Sequence, residues 1–179
     1  MSEYSPITIW LTGLPSAGKT TIGQGLISKL KAINVNAVLL DGDEVRKGIC
    51  ADLGFSETDR SENIRRVASV AKLLNCQGYI VVCCFVSPLA EMRNMAKGIV
   101  GSENFVEVFV DADVATCAQR DVKGLYRKAS QGLIPNLTGV SAPYEIPVNP
   151  NLHINTMRVN ENFAIDLLYS KTLSWIKIQ

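Results

Sequence analysis

Gly13-Leu14-Pro15-Ser16-Ala17-Gly18-Lys19-Thr20-Thr21 is the stretch on which the reading of the fold turns. Its spacing fits G-x-x-x-x-G-K-[ST], a loop whose backbone N–H groups point inward at anionic oxygens. Upstream, Ile7-Thr8-Ile9-Trp10-Leu11-Thr12 is an apolar, β-branched run that reads as a buried strand. Downstream, Ile22, Leu26, Ile27 and Leu30 recur at helical spacing, which predicts a helix from near Gly18. Strand, loop and helix are the setting in which the motif binds phosphate. The helix N-terminus adds the positive end of its dipole. Lys19 supplies a point charge for the β- and γ-phosphates, and the Thr20 hydroxyl can ligate Mg²⁺. The bland alternative, a glycine-rich turn with no ligand, does not account for Lys-Thr at the head of the helix.

The 179 residues, 47% hydrophobic and 20% charged, suit one domain spanning 1–179 with a substantial core. Lys+Arg is 18 against 17 Asp+Glu, so the net charge of +1 makes no field for a polyanion. No nucleic-acid partner is expected, and recognition of phosphate must be local. No apolar run reaches membrane-spanning length, and Met1-Ser2-Glu3-Tyr4-Ser5-Pro6 lacks the basic lead-in of a signal segment. A soluble, cytoplasmic protein with no membrane partner is expected. Cys50, Cys76, Cys83, Cys84 and Cys117 make an odd set without a C-x-x-C pair. They suggest neither a disulfide framework nor a zinc site, and Cys83 and Cys84 read as buried thiols. The single histidine, His153, offers no triad.

Along the chain, strands are expected at 36–40, 79–86, 105–110 and 152–155. Helices are expected at 44–49, 61–76, 112–120 and 160–178, with another opened by Ser87-Pro88. Pro88 suits a first helical turn, and Gly78 stops the long helix. From Asp121 to Pro150 the pattern dissolves into glycines, prolines and polar residues. Alternating strands and helices imply an α/β three-layer sandwich around a parallel sheet. Ligands then bind beyond the carboxyl ends of the strands.

A second constellation lies at those ends. Asp41-Gly42-Asp43 closes the second strand, with Arg46 one turn on. It is either a turn and helix cap or a carboxylate placed to order Mg²⁺-bound water or take a substrate proton. Arg60, Arg65 and Arg66 are either a solvated face or a grip on an acidic ligand, to which Asn63 can add. Arg60 is expected just before the long helix. Phe55 is either a core plug or a platform for a base.

Together these residues resemble the adenylyl-sulfate (APS) kinases. The likeness is carried by Asp41-Gly42-Asp43-x-x-Arg46 and Asp52-Leu53-Gly54-Phe55-Ser56-x-x-Asp59-Arg60-x-x-Asn63-Ile64-Arg65-Arg66. Phe85-Val86-Ser87-Pro88, Arg120-Asp121-Val122-Lys123-Gly124-Leu125-Tyr126 and Thr138-Gly139-x-x-x-x-Tyr144-Glu145-x-Pro147 extend it. The resemblance implies a P-loop kinase that moves the γ-phosphoryl group of ATP to the ribose 3′-hydroxyl of APS, giving PAPS. It implies Mg²⁺ as cofactor, held by Thr20 and Asp43, and a homodimer. It also implies Gly13 to Thr21 and Arg120 at ATP, and Lys19 and Asp43 in the chemistry. Arg46, Arg60 and Asn63 would hold the phosphosulfate, Phe55 would stack on the adenine, and Val86 and Ser87 would line the site. Ser87 matches a serine that forms a phosphoserine intermediate in bacterial members, although in-line transfer needs no covalent step. Residues 121–139 would be a mobile lid carrying Lys123, with Asn136 and Leu137 at the acceptor.

Three positions depart from the family pattern. Leu137 stands where a second aromatic usually completes the adenine sandwich, Ser130 replaces an arginine in the lid, and the phosphate loop reads Pro15-Ser16-Ala17. The first leaves open a related kinase for another nucleotide acceptor, such as a cytidine diphosphoramidate. A nucleotide-dependent switch without an acceptor is the third possibility, and Asp43, Arg46, Arg60 and Asn63 speak against it.

Overall fold

The chain is described over residues 4–176 of a computed structural model. Five strands, β1 (Thr8–Thr12), β2 (Ala37–Asp41), β3 (Ile80–Cys84), β4 (Phe105–Asp111) and β5 (Leu152–Asn155), form one sheet. Its order is β2-β3-β1-β4-β5 and every pairing is parallel. Between them run α1 (Lys19–Ala32), α2 (Gly42–Lys47), α3 (Glu57–Cys76), α4 (Ala90–Val100), α5 (Val114–Arg120) and α6 (Leu125–Ser130), and α7 (Glu161–Ile176) follows β5.

The period of two along each strand divides the core into two layers. Ile9 and Leu11 of β1 join Ile80, Val82 and Cys84 of β3 under α1 and α7, where Leu26 and Leu168 are fully buried. Trp10, Val81 and Cys83 point the other way, toward α3 and α4, with Val67, Ala68, Ala71 and Ala96. Burial of each large side chain contributes about 2 kcal/mol, so neither layer is decorative. Trp10 lies between Phe85 and Phe105, with ring centroids 5.6 and 5.7 Å away.

The central strand β1 has β3 on one side and β4 on the other, so the chain's crossovers diverge at its carboxyl end. A crevice forms there because the loops leave in opposite directions. Gly13 is required at this point. Its φ is 152°, and a Cβ atom would meet the Val110 carbonyl oxygen at 2.2 Å.

Several expectations need correcting. Arg60 lies inside α3, which begins at Glu57 because the Ser56 hydroxyl accepts the Asp59 N–H at 3.1 Å. Pro88 precedes α4 rather than occupying its first turn, since Ala90 is the first helical residue and Leu89 its N-cap. The irregular stretch holds a short helix, α6, that apolar periodicity did not announce. The expected helix over 160–178 is seen as Glu161–Ile176, and its last two residues lie outside the described ones.

Candidate active site

A cleft of about 1300 Å³ opens at the carboxyl ends of β1, β2 and β3 and is roofed by residues 122–138. Along one wall runs the phosphate loop from Pro15 to Thr21. Ser16 takes φ 63° and Gly18 φ 109°, left-handed turns that aim successive N–H groups to one side. Gly13 and Leu14 begin the loop behind the cleft wall, and their carbonyls face Lys19. Gly13 is pressed against Val110, and Leu14 is buried against Gly139.

Lys19 folds back onto its own loop. Its Nζ donates to the carbonyls of Gly13 and Leu14, each at 2.8 Å. Burial lowers its pKa to about 8. Thr20 Oγ1 donates to Asp41 Oδ2 at 2.7 Å, and Asp41 Oδ1 accepts the Asp43 N–H at 3.0 Å as the cap of α2. Asp41 is therefore both helix cap and site residue, and it ties the phosphate loop to Asp43. Among the described residues, no three His, Cys, Asp or Glu side chains cluster as a metal nest. The hydroxyl of Thr20 beside the Asp41 and Asp43 carboxylates is the hard oxygen set that suits Mg²⁺ bridged to phosphates.

The acceptor candidates converge on the same cleft. Arg46, Phe55, Arg60 and Asn63 all line it. Phe55 is 64% exposed, so it does not plug the core. The Arg46 guanidinium lies 4.4 Å from its ring centroid, and Arg46 donates to the Gly54 carbonyl at 2.9 Å. Arg60 donates to the carbonyls of Phe55 and Asn136 and to Thr138 Oγ1. Burial lowers the pKa of both arginines. Asn63 is 4% exposed, and its Oδ1 has no partner among the described residues. A half-turn of the carboxamide presents its NH₂ there, the donor that an anionic oxygen needs. Arg65 and Arg66 are the solvated face instead, paired with Glu62 and Asp52.

The far wall is formed by Val86 and Ser87. Ser87 is 2% exposed with φ 38°, and its hydroxyl accepts the Trp10 Nε1–H at 3.0 Å. That bond fixes the hydroxyl in the wall of the cleft. From the roof, Lys123 reaches across to pair with Asp43, and Asn136 and Leu137 line the opening. Leu137 is buried with the α1 and α7 layer. Arg120 donates to Thr156 Oγ1 at 3.0 Å and to the Ala17 carbonyl at 3.3 Å. Thr156, at the end of β5, was absent from the sequence-derived set. Its place just beyond a parallel strand was the signal available.

Residues 5–155 match the family model for adenylylsulphate kinase. The chain belongs to the adenylylsulphate kinase family. An adenylyl-sulfate kinase of Pseudomonas aeruginosa is 46% identical over 170 residues, covering 95% of this chain and 87% of the relative. The bifunctional enzyme NodQ of Rhizobium tropici is 51% identical over 157 residues, 88% of this chain, which spans only 25% of that enzyme's length. Among solved structures, the Mycobacterium tuberculosis APS kinase CysC in complex with AMPPNP and APS superposes with a TM-score of 0.87 at 40% identity. That match covers 92% of this chain and 96% of the other. A sugar kinase from Janibacter, 14% identical with a TM-score of 0.64, shares the fold. No helix among the described residues is long and apolar enough to cross a membrane.

Proposed function

We propose that this chain transfers the γ-phosphoryl group of ATP to the 3′-hydroxyl of adenosine 5′-phosphosulfate, giving PAPS and ADP. The observation that carries the reading is the shared cleft. The phosphate loop and a second clamp of Asp43, Arg46, Phe55, Arg60 and Asn63 line one cavity. A hydrolytic switch needs no such clamp. The CysC structure was solved with an ATP analogue and APS together, which supports two nucleotides in such a site.

In this reading the loop amides and Lys19 hold the β- and γ-phosphates, with Arg120 and Thr156 beside the donor nucleotide. Asp43 accepts the 3′-hydroxyl proton as the hydroxyl oxygen bonds to the γ-phosphorus. The bond to the β-phosphate bridging oxygen breaks, and ADP carries away that electron pair. Thr20 and Asp43 would hold Mg²⁺, which would supply neutralisation of the phosphate charge. Asp43 must first exchange Lys123 for the acceptor, which frees that ammonium for the phosphates. Arg46, Arg60 and Asn63 grip the phosphosulfate, while Phe55 stacks on adenine and Val86 and Ser87 close the side. The roof excludes water, a competing acceptor. We further propose one domain, a homodimer, and a cytoplasmic setting, which the five free thiols suit.

A coupled ADP-release assay with APS and a panel of other nucleotides tests this. APS-dependent turnover that collapses in Asp43→Asn, with both substrates still bound, is the expected result. Good activity on a cytidine acceptor with little on APS would overturn it, as would ADP formation indifferent to any acceptor.

A further inference from the structure

In Thr138-Gly139-x-x-x-x-Tyr144-Glu145, Tyr144 and Glu145 have no part in the chemistry above and do not line the cleft. Both meet Arg93 of α4, which is 5% exposed and does not line the cleft either. Arg93 hydrogen-bonds two separate segments and pairs in charge with a third. Nη1 donates to the carbonyls of Ser87 and Pro88 at 2.9 and 3.2 Å, and Nη2 donates to the Glu145 carbonyl at 2.8 Å. Nε pairs with Glu107 of β4 at 2.8 Å. The Tyr144 ring lies 5.9 Å from the guanidinium carbon, and its hydroxyl is 3.0 Å from Thr12 Oγ1.

Glu145 ties the same two segments again. Its N–H donates to the Pro88 carbonyl at 2.8 Å, and its carboxylate accepts the Ala90 N–H at 2.6 Å. That second bond caps α4, whose own N-cap, Leu89, has no side-chain acceptor. Between Leu137 and Glu145 the chain turns tightly, with the Leu137 carbonyl accepting the N–H groups of Val140, Ser141 and Ala142. Asn136, Leu137 and Thr138 on the roof are thus joined, through Tyr144, Glu145 and Arg93, to Val86 and Ser87 on the wall.

We propose that Arg93 is a positioning residue for the acceptor site, binding the Val86–Pro88 wall and the roof's trailing segment into one body. A planar fork with five donors can grip backbone carbonyls from two segments while its charge is met by Glu107. A lysine offers one point charge and cannot hold all of these at once. Ser87 needs such a hold, since a left-handed serine persists only where its surroundings determine it. The effect on kinetics rests on the proposed APS kinase activity.

The test uses Arg93→Lys, which keeps the charge near Glu107, and Arg93→Met. The Michaelis constants for APS and ATP and the turnover number are measured, together with hydrogen exchange of 85–89 and 137–146 in the ligand-free protein. Expected is a rise of about tenfold or more in the APS constant of Arg93→Lys, with the ATP constant within about twofold. Exchange should quicken in both segments together. Turnover falling only with the folded fraction, with both Michaelis constants unchanged, would reduce Arg93 to a structural brace, as would exchange that quickens in one segment alone. If Arg93→Met does not fold, Arg93→Lys decides alone. If the wild type proves inactive on APS, the function proposed above fails, while the exchange measurement still decides whether Arg93 couples wall and roof.

Discussion

Lys19 carries its charge at a depth where burial works against it. Its pKa is lowered from 10.5 to about 8, so below pH 8 both folded and unfolded chains hold the proton and the penalty is complete. Between about pH 8 and 10.5 the folded chain releases it first. The unfolded state then binds more protons, so stability rises with pH through that window, by on the order of 3 kcal/mol from this group. Urea denaturation of the ligand-free wild type and Lys19→Met from pH 7 to 10.5 should show the wild type gaining that much stability relative to the variant, since the buried thiols, whose raised pKa values act the other way, are common to both. Equal slopes would mean that Lys19 is not held in the loop as described. Lys19→Ala should also cut turnover by orders of magnitude while the fold survives, because its contact strengthens as the γ-phosphoryl moves. Leu137 bears on specificity. It is buried yet lines the cleft, and it offers no π face opposite Phe55. If adenine is the acceptor base, Leu137→Phe should lower the Michaelis constant for APS by up to about tenfold with turnover unchanged. A weaker natural acceptor in that variant would mean a pocket shaped for a smaller base.

Among the elements, the roof depends on a six-residue helix that cannot stand alone. α6 is held at its start by Asp121, whose two carboxylate oxygens accept the N–H groups of Tyr126 and Arg127 at 3.1 and 3.0 Å. It is held at its side by the Tyr126 hydroxyl, which donates to the Pro15 carbonyl of the phosphate loop at 3.0 Å. Asp121→Ala removes the cap, worth about 1 kcal/mol. The expected outcome is faster ATP hydrolysis without acceptor and quicker proteolysis within 121–139, with a global melting temperature little changed. Unaltered hydrolysis would show that the cap does not govern closure. α6 escaped notice in the sequence because its stabilising partners are a carboxylate before it and a loop far upstream, neither of which leaves an apolar period. Pro88 misled for the opposite reason. Its fixed φ suits a first turn, but α4 takes its cap from Glu145, so the helix begins two residues later.

For the molecule as a whole, the two core layers share every central strand, so they should unfold together. In Trp175→Phe the remaining Trp10 reports on the α3 and α4 layer, while far-UV circular dichroism reports on all helices. Coincident thermal midpoints are expected, and separated ones would divide the chain into two units. The sequence by itself determined the nucleotide loop, the parallel α/β order and the family, because each is written in near neighbours. Gly13 to Thr21 lies between an apolar run and a helical period, and the family motifs are runs of a few residues. Only the tertiary structure decided which of the three arginines faces the cleft and that Asp41 joins Thr20 to Asp43. The reason is distance along the chain. Arg60 meets Thr138 78 residues on, Lys123 meets Asp43 80 residues back, and Arg93 meets Glu145 52 residues on. Such contacts leave no periodicity in the sequence and exist only once the crossovers bring the strand ends together.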